Sequence, residues 1–150
     1  MVSPAISPAW LTRIRPAVWR RSASSATGAG LPGVGRLATA FGMKVLFAEH
    51  RRASGVRDGY VAFDSVLKSA DAISLHCPLT PENAQLLNTR TLAACKKGVI
   101  IVNTARGGLI DEAALLDAVR SGQVASAGLD SFAVEPMTAP HPFHGEARIT

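Results

Sequence analysis

From residue 28 onward, short apolar runs alternate with stretches of helical spacing. Val34, Leu37, Ala38 and Phe41 recur at the period of an amphipathic helix, and Gly42 stands where such a helix would stop. Lys44–Ala48 reads as a strand. Asp64 is placed to cap a short helix through Ala70, and Ala72–Leu75 is the next strand. Asn83–Cys95 mixes polar and apolar positions and is expected to be partly helical. Val99-Ile100-Ile101-Val102 is a run of four β-branched residues, the pattern of a strand buried on both faces. Asp111 is positioned to cap a helix through Ser121, with Leu115, Leu116 and Val119 inward and Gly122 ending it. Val124–Leu129 is the last strand. Alternating strands and helices predict an α/β fold built on a parallel sheet covered on both faces.

Residues 1–27 lack this texture. They are rich in Ser, Ala, Pro and Arg, include Trp10 and Trp19, and show no period of 2 or 3.6. The expected organisation is an irregular or aberrant N-terminal segment, 1–27, followed by one domain over 28–150. An Arg- and Ser-rich, acid-poor leader also has the composition of an organelle-targeting peptide.

Charge follows the same division. No Asp or Glu precedes Glu49, and Arg13, Arg15, Arg20, Arg21, Arg36 and Lys44 carry the basicity of that stretch. The net charge of +5 therefore belongs to the N-terminal third. Without an aromatic-interleaved basic face elsewhere, it predicts no nucleic-acid partner. Cys77 and Cys95 have no paired spacing, which excludes a disulfide framework and a cysteine-rich metal module. No metal is expected, and such cysteine usage suits a reducing, cytoplasmic compartment. The longest apolar runs, of four or five residues, fall far short of the ~20 needed for a membrane span.

Gly28-Ala29-Gly30-Leu31-Pro32-Gly33 is a literal G-x-G-x-x-G. In a dinucleotide fold the first glycine allows a tight turn and the second lets the backbone approach a pyrophosphate. The third lets helix and strand pack closely, and phosphates sit on the free amides of the helix start. A Gly/Pro-rich connector produces the same letters without that role. Glu49 ends the next strand nineteen positions after Gly30, near the spacing of a carboxylate that accepts ribose hydroxyls. The alternative for Glu49 is a solvated acid paired with Arg51 or Arg52. A strand should precede the glycines, yet Ser22–Thr27 has no large apolar residue. The expected fold is thus a Rossmann-like doubly wound parallel sheet lacking a proper first strand.

Four ordered blocks carry a resemblance across roughly residues 33–150. They are Phe41-Gly42-Met43-Lys44-Val45, Ser74-Leu75-His76-Cys77-Pro78-Leu79-Thr80-Pro81, Val102-Asn103-Thr104-Ala105-Arg106-Gly107-Gly108-Leu109-Ile110-Asp111, and Ala127-Gly128-Leu129-Asp130 running on to Val134-Glu135-Pro136. Together they resemble the D-isomer-specific 2-hydroxyacid dehydrogenases, with a flavour closest to hydroxypyruvate reductase (glycerate dehydrogenase). The resemblance implies hydride transfer between NAD, or less readily NADP, and the C2 carbon of a small 2-hydroxy or 2-oxo acid. It also implies a homodimer.

Under this resemblance Arg106 takes the place of the active-site arginine. Its planar guanidinium can grip a substrate carboxylate in two-pronged fashion and polarise the keto oxygen. The plain alternative is an arginine in a surface turn. Glu135 matches the acid that partners a catalytic histidine, orienting the imidazole and raising its pKa; otherwise it is an exposed acid before Pro136. Asp130 matches an acid near the nicotinamide, or is a turn aspartate. Thr104, Ala105 and the His76-Cys77-Pro78 loop would line the cofactor, largely through backbone groups. His76 has the alternative of a hydrogen-bonded residue at a strand end.

Two departures accompany the resemblance. The family's histidine lies in a T-P-H segment expected shortly after Thr150, and His141 and His144 do not fit that pattern. The substrate domain is expected to be absent, which makes the chain a cofactor domain that is inactive as given. Counted back from Phe41, the family's third glycine falls at Leu31 and its first at Ala26, so the literal glycines are offset by two. A one-base frame slip accounts for this: L-G-I-I-G-H-G encoded as CTC GGC ATC ATC GGC CAC GG reads Ser-Ala-Ser-Ser-Ala-Thr one base later, matching Ser22–Thr27. The rival expectation is a non-catalytic, poorly folded remnant that binds no cofactor.

Overall fold

A computed structural model of the chain describes residues 16–19, 30–136 and 140–150. Five strands form one sheet: β1 (Pro16–Trp19), β2 (Leu46–Ala48), β3 (Ala72–Leu75), β4 (Val99–Asn103) and β5 (Val124–Leu129). All pair in parallel, in the order β2-β1-β3-β4-β5. Single parallel bridges extend both edges, Val61 beside Ala48 and Ile149 beside Ala127. With those bridges the sheet has the doubly wound dinucleotide order, and the order reverses between β1 and β3. Parallel neighbours require crossovers, which α1 (Gly30–Ala40), α2 (Phe63–Ser69), α3 (Thr89–Ala93) and α4 (Glu112–Arg120) provide.

The expectation of a missing first strand is corrected. Pro16–Trp19 pairs with both β2 and β3 and so lies inside the sheet. Proline is tolerated as a first strand residue, and Val and Trp favour extended backbone. Four residues are too few to carry a readable period, and they lie upstream of the Ser22–Thr27 stretch where a strand was sought. Ser22–Thr27 itself lies outside the described residues.

Local signals explain most element ends. Gly42 has φ +78°, and the Gly42 and Met43 amides donate to the Thr39 and Ala38 carbonyls, closing α1 in a Schellman arrangement. Asp111 caps α4 by accepting from the Ala114 amide at 3.1 Å. Asp64, in contrast, sits in the first turn of α2, and Ala62 occupies the cap position without a side-chain bond. A carboxylate there still opposes the positive helix start. Helix in the Asn83–Cys95 stretch is confined to Thr89–Ala93, opened by a capping box between Asn88 and Thr91.

One buried cluster takes in Ile73, Leu75, Val99 and Ile101 of the sheet together with Leu87, Leu92, Leu109 and Leu115. Ile100 in β4 is 40% exposed, so the β-branched run is not buried on both faces as its composition predicts. The apolar stripe of α1 is likewise exposed at Leu37 and Phe41. That helix meets β2 through Gly35, where an added Cβ would come 3.1 Å from the Phe47 ring. The close helix–strand approach occurs at Gly35, and among the described residues nothing lies within 4 Å of a Cβ added at Gly33.

Candidate functional site

Strand register brings the site residues to one edge. Ala48, Trp19, Leu75, Asn103 and Leu129, the last residues of the five strands, lie in one hydrogen-bonded row. Because all strands run the same way, Glu49, His76, Thr104 and Asp130 follow in line along the carboxyl edge. Strands sit ~4.8 Å apart, so the row from β2 to β5 runs ~19 Å. Ligands of open α/β sheets gather outside this edge, at the point of order reversal.

The β3 loop is braced from below. Asn83 is buried; its side-chain nitrogen donates to the Pro78 carbonyl at 2.8 Å, and its oxygen accepts from the Thr80 amide at 2.7 Å. This holds His76-Cys77-Pro78 in place. His76 Nε2 lies 2.7 Å from the Ser74 hydroxyl, and burial depresses the imidazole pKa, favouring the neutral ring. His76 is thus a hydrogen-bonded residue at a strand end, and it stands on the site edge.

The β4 loop hangs on Asn103, which is fully buried. Its amide nitrogen donates to the Arg106 carbonyl at 2.9 Å, and its oxygen accepts from the Ala105 amide at 3.1 Å. The Asn103 carbonyl accepts from the Asp130 amide, tying the β4 and β5 ends together. Thr104 and Arg106 are exposed. Among the described residues, the Arg106 guanidinium donates to the Ala105 carbonyl at 2.6 Å.

Immediately after Arg106, a 3-10 turn over Gly107–Leu109 presses on the loop that carries Glu135. A Cβ on Gly107 would lie 1.9 Å from the Phe132 carbonyl carbon, so only glycine fits. Glu135 is exposed, and its carboxylate accepts from the Phe132 amide at 3.0 Å. Glu112, in the first turn of α4, accepts from the Ala133 amide at 2.8 Å and lies 3.4 Å from His141 Nε2. Arg106 and Glu135 are therefore on adjoining loops in backbone contact. Residues 148–150 run parallel beside β5, toward the same edge.

Glu49 is neither solvated nor paired with Arg51 or Arg52. It is 4% exposed and gripped by Arg57, whose Nε and Nη2 each donate at 2.7 Å. The Arg57 side chain, reinforced by the His50 and Arg57 amides, holds the carboxyl down at about 2 against the raising effect of burial. An open cavity of about 200 Å³ beside it is lined by His50, Arg51, Ser54 and Phe63 among others.

The structure thus aligns Glu49, the His76–Pro78 loop, Thr104, Ala105, Arg106 and Asp130 along one edge, with Glu135 on the adjoining loop. Gly30 opens α1, Gly33 lies inside that helix, and Gly28 falls outside the described residues. Sequence reasoning missed Asn83, Asn103, Gly107, Glu112 and Arg57, which act through other residues. Asn103 had a readable signal, a polar residue closing an apolar strand. Asn83 and Arg57 show themselves through loop contacts three to eight residues away, and Gly107 and Glu112 through contacts more than twenty residues away. Among the described residues no group of His, Cys, Asp and Glu could hold a metal ion, and no helix is long and apolar enough to cross a membrane. A carboxylate at the end of β2, two braced backbone loops and a helix opening on glycine fit a dinucleotide.

Comparison with known proteins agrees. Residues 27–150 match the model of the D-isomer specific 2-hydroxyacid dehydrogenase NAD binding domain. A putative 2-hydroxyacid dehydrogenase of Haemophilus influenzae is 52% identical over 109 residues, covering 73% of this chain and 35% of that protein. A hydroxypyruvate reductase of Thermotoga maritima is 48% identical over 106 residues, covering 70% of this chain and 35% of that protein. Among solved structures, a D-isomer specific 2-hydroxyacid dehydrogenase from Xanthobacter autotrophicus Py2, in complex with NADPH and MES, superposes with a TM-score of 0.76 at 29% identity, covering 93% of this chain and 57% of that one. The chain spans about a third of the length of these two curated relatives. With the parallel sheet, its aligned carboxyl edge and these matches in hand, the chain belongs to the D-isomer-specific 2-hydroxyacid dehydrogenase family, of which it carries the NAD-binding domain.

Proposed function

We propose that this domain binds NAD along the carboxyl edge of its sheet and, in the whole protein, serves hydride transfer at C2 of a small 2-hydroxy or 2-oxo acid. The observation that carries the reading is the single row formed by the strand ends, which lines up Glu49, His76, Thr104 and Asp130. Glu49 is placed for the adenosine ribose, and the start of α1, at Gly30, for the phosphates. The His76–Pro78 and Thr104–Ala105 loops offer backbone groups to the nicotinamide half, with Asp130 beside them. When bound, the nicotinamide supplies the hydride acceptor or donor.

The chain's own residues do the rest. Arg106 anchors the substrate carboxylate through paired N–H donors and polarises the oxygen on C2. Asn103 sets its position by fixing the Arg106 carbonyl. Glu135 orients the imidazole that exchanges a proton with that oxygen. Among the described residues no imidazole is paired with Glu135; His76 is held by Ser74, and His141 lies against Glu112. The 150-residue chain by itself is therefore proposed to bind cofactor without turning it over. Cys77 and Cys95 are both buried and form no disulfide among the described residues, which supports a reducing, cytoplasmic setting. The family likeness supports a homodimer, which sedimentation tests directly.

The test is thermal melting with and without NADH. Binding to the folded state raises the melting temperature, by an amount that grows with the logarithm of ligand concentration. Arg106→Gln should retain that shift, because the arginine is assigned to substrate. No shift at millimolar NADH would refute cofactor binding. NADH oxidation by this chain with hydroxypyruvate or glyoxylate would refute the missing proton donor and direct attention to His141 and His144.

A further inference from the structure

We propose that Arg57 sets the cofactor specificity of this domain, because its pairing with Glu49 removes most of the discrimination that a carboxylate at this position exerts against NADP. The inference rests on the cofactor reading above. A carboxylate has about four lone-pair directions, and all four on Glu49 are taken. Oε1 accepts from the His50 amide at 2.8 Å and Arg57 Nη2 at 2.7 Å. Oε2 accepts from the Arg57 amide at 3.2 Å and Arg57 Nε at 2.7 Å.

Two consequences follow from that saturation. A ribose 2′-hydroxyl can reach Glu49 only by displacing the guanidinium, so the bond that would favour NAD is offset by the loss of a charge-assisted pair. The pair also has no net charge, so a 2′-phosphate arriving beside it meets little repulsion from Glu49. The same cavity is also lined by the cation Arg51, by His50 and by the acid Asp64.

Arg57 is the solvent-facing partner of the pair and Glu49 the buried one. The Arg57 side chain is 42% exposed against 5% for Glu49. Its guanidinium carbon also rests 4.1 Å from the Tyr60 ring centroid, a favourable contact independent of the carboxylate. Facing a ribose hydroxyl it swings aside, and facing a 2′-phosphate it stays and keeps Glu49 neutralised. A domain tuned this way prefers NAD only modestly.

The experiment is equilibrium binding of NADH and NADPH to the full chain, followed by cofactor fluorescence, for the wild type, Arg57→Met and Arg57→Lys. Arg57→Met keeps the aliphatic stem and frees Glu49. The ratio of NADH to NADPH affinity should rise on the order of tenfold, with NADPH weakened and NADH held or tightened. Arg57→Lys keeps the charge and loses the two-pronged grip, so its ratio should rise by about two- to threefold. If Arg57 only clamps the loop, both cofactors weaken together and the ratio stays put, which overturns the proposal. Should Arg57→Met fail to fold, an unmoved ratio in Arg57→Lys overturns it equally. Binding of neither cofactor by the wild type would overturn the cofactor reading and this inference with it.

Discussion

Replacing Gly107 by alanine tests whether the Arg106 turn and the Glu135 loop are locked together. The added Cβ would fall 1.9 Å from the Phe132 carbonyl carbon, 2.1 Å from its oxygen and 2.4 Å from the Ala133 nitrogen. An unstrained contact needs ~3.4 Å or more, so one backbone must retreat by about 1.5 Å, and no side-chain rotation relieves it. Overpacking of this kind costs ~1–3 kcal/mol. In a chain of this size each kcal/mol lowers the melting temperature by ~2–4 °C, so a loss of roughly 2–12 °C is expected for Gly107→Ala. The Ala133 amide, now donating to Glu112, should also exchange faster. Gly108→Ala is the control. Its Cβ would meet only the tip of the Leu79 side chain, at 2.8 Å, and Leu79 is itself exposed and free to turn. Differential scanning fluorimetry of the three proteins, with amide exchange at Ala133, reads the outcome. A Gly107→Ala protein melting within about 1 °C of wild type, with unchanged exchange at Ala133, would refute the reasoning.

Gly33→Ala carries the opposite sign: the site lies inside α1 with nothing within 4 Å among the described residues, so alanine should stabilise by ~0.5–1 kcal/mol, and a lower melting temperature would contradict the packing described. The Glu49–Arg57 pair predicts an acid-sensitive contribution. The folded carboxyl titrates at about 2 against an ordinary 4.5, so its stabilisation is complete above the ordinary value and drains away as pH falls toward the folded one. The melting-temperature gap between wild type and Glu49→Gln should accordingly narrow between pH 5 and pH 3, and a constant gap would show that the pair is not responsible. Burial pushes the Cys95 thiol up to about 12, so iodoacetamide near pH 8 should leave it unmodified in the native chain and modify it in denaturant, as peptide mass mapping would report.

Much of this domain was legible from local sequence. The spans of β3 and β5, the cap at Asp111 and the stop at Gly42 depend on side chains and backbone preferences within a few residues, and so they read directly. The block around Arg106 and the acids at Glu49 and Asp130 were legible as positions, because each directly follows a readable strand and so falls at the carboxyl edge. Tertiary structure decided the rest. Pro16–Trp19 has no period of its own and becomes a central strand only because β2 and β3 offer it two partners. The need for glycine at 107 arises from a loop about 25 positions away. The state of Glu49 shows the difference most plainly. Its spacing from the glycines suggested an acid open to a ribose, and Arg51 and Arg52 were the cations nearest in sequence. The β2–α2 loop instead turns Arg57 back onto it, eight residues on, and buries the carboxylate in a filled pair. Sequence proximity ranks candidate partners by chain distance, whereas a buried charge is satisfied by whichever donor the fold brings within reach.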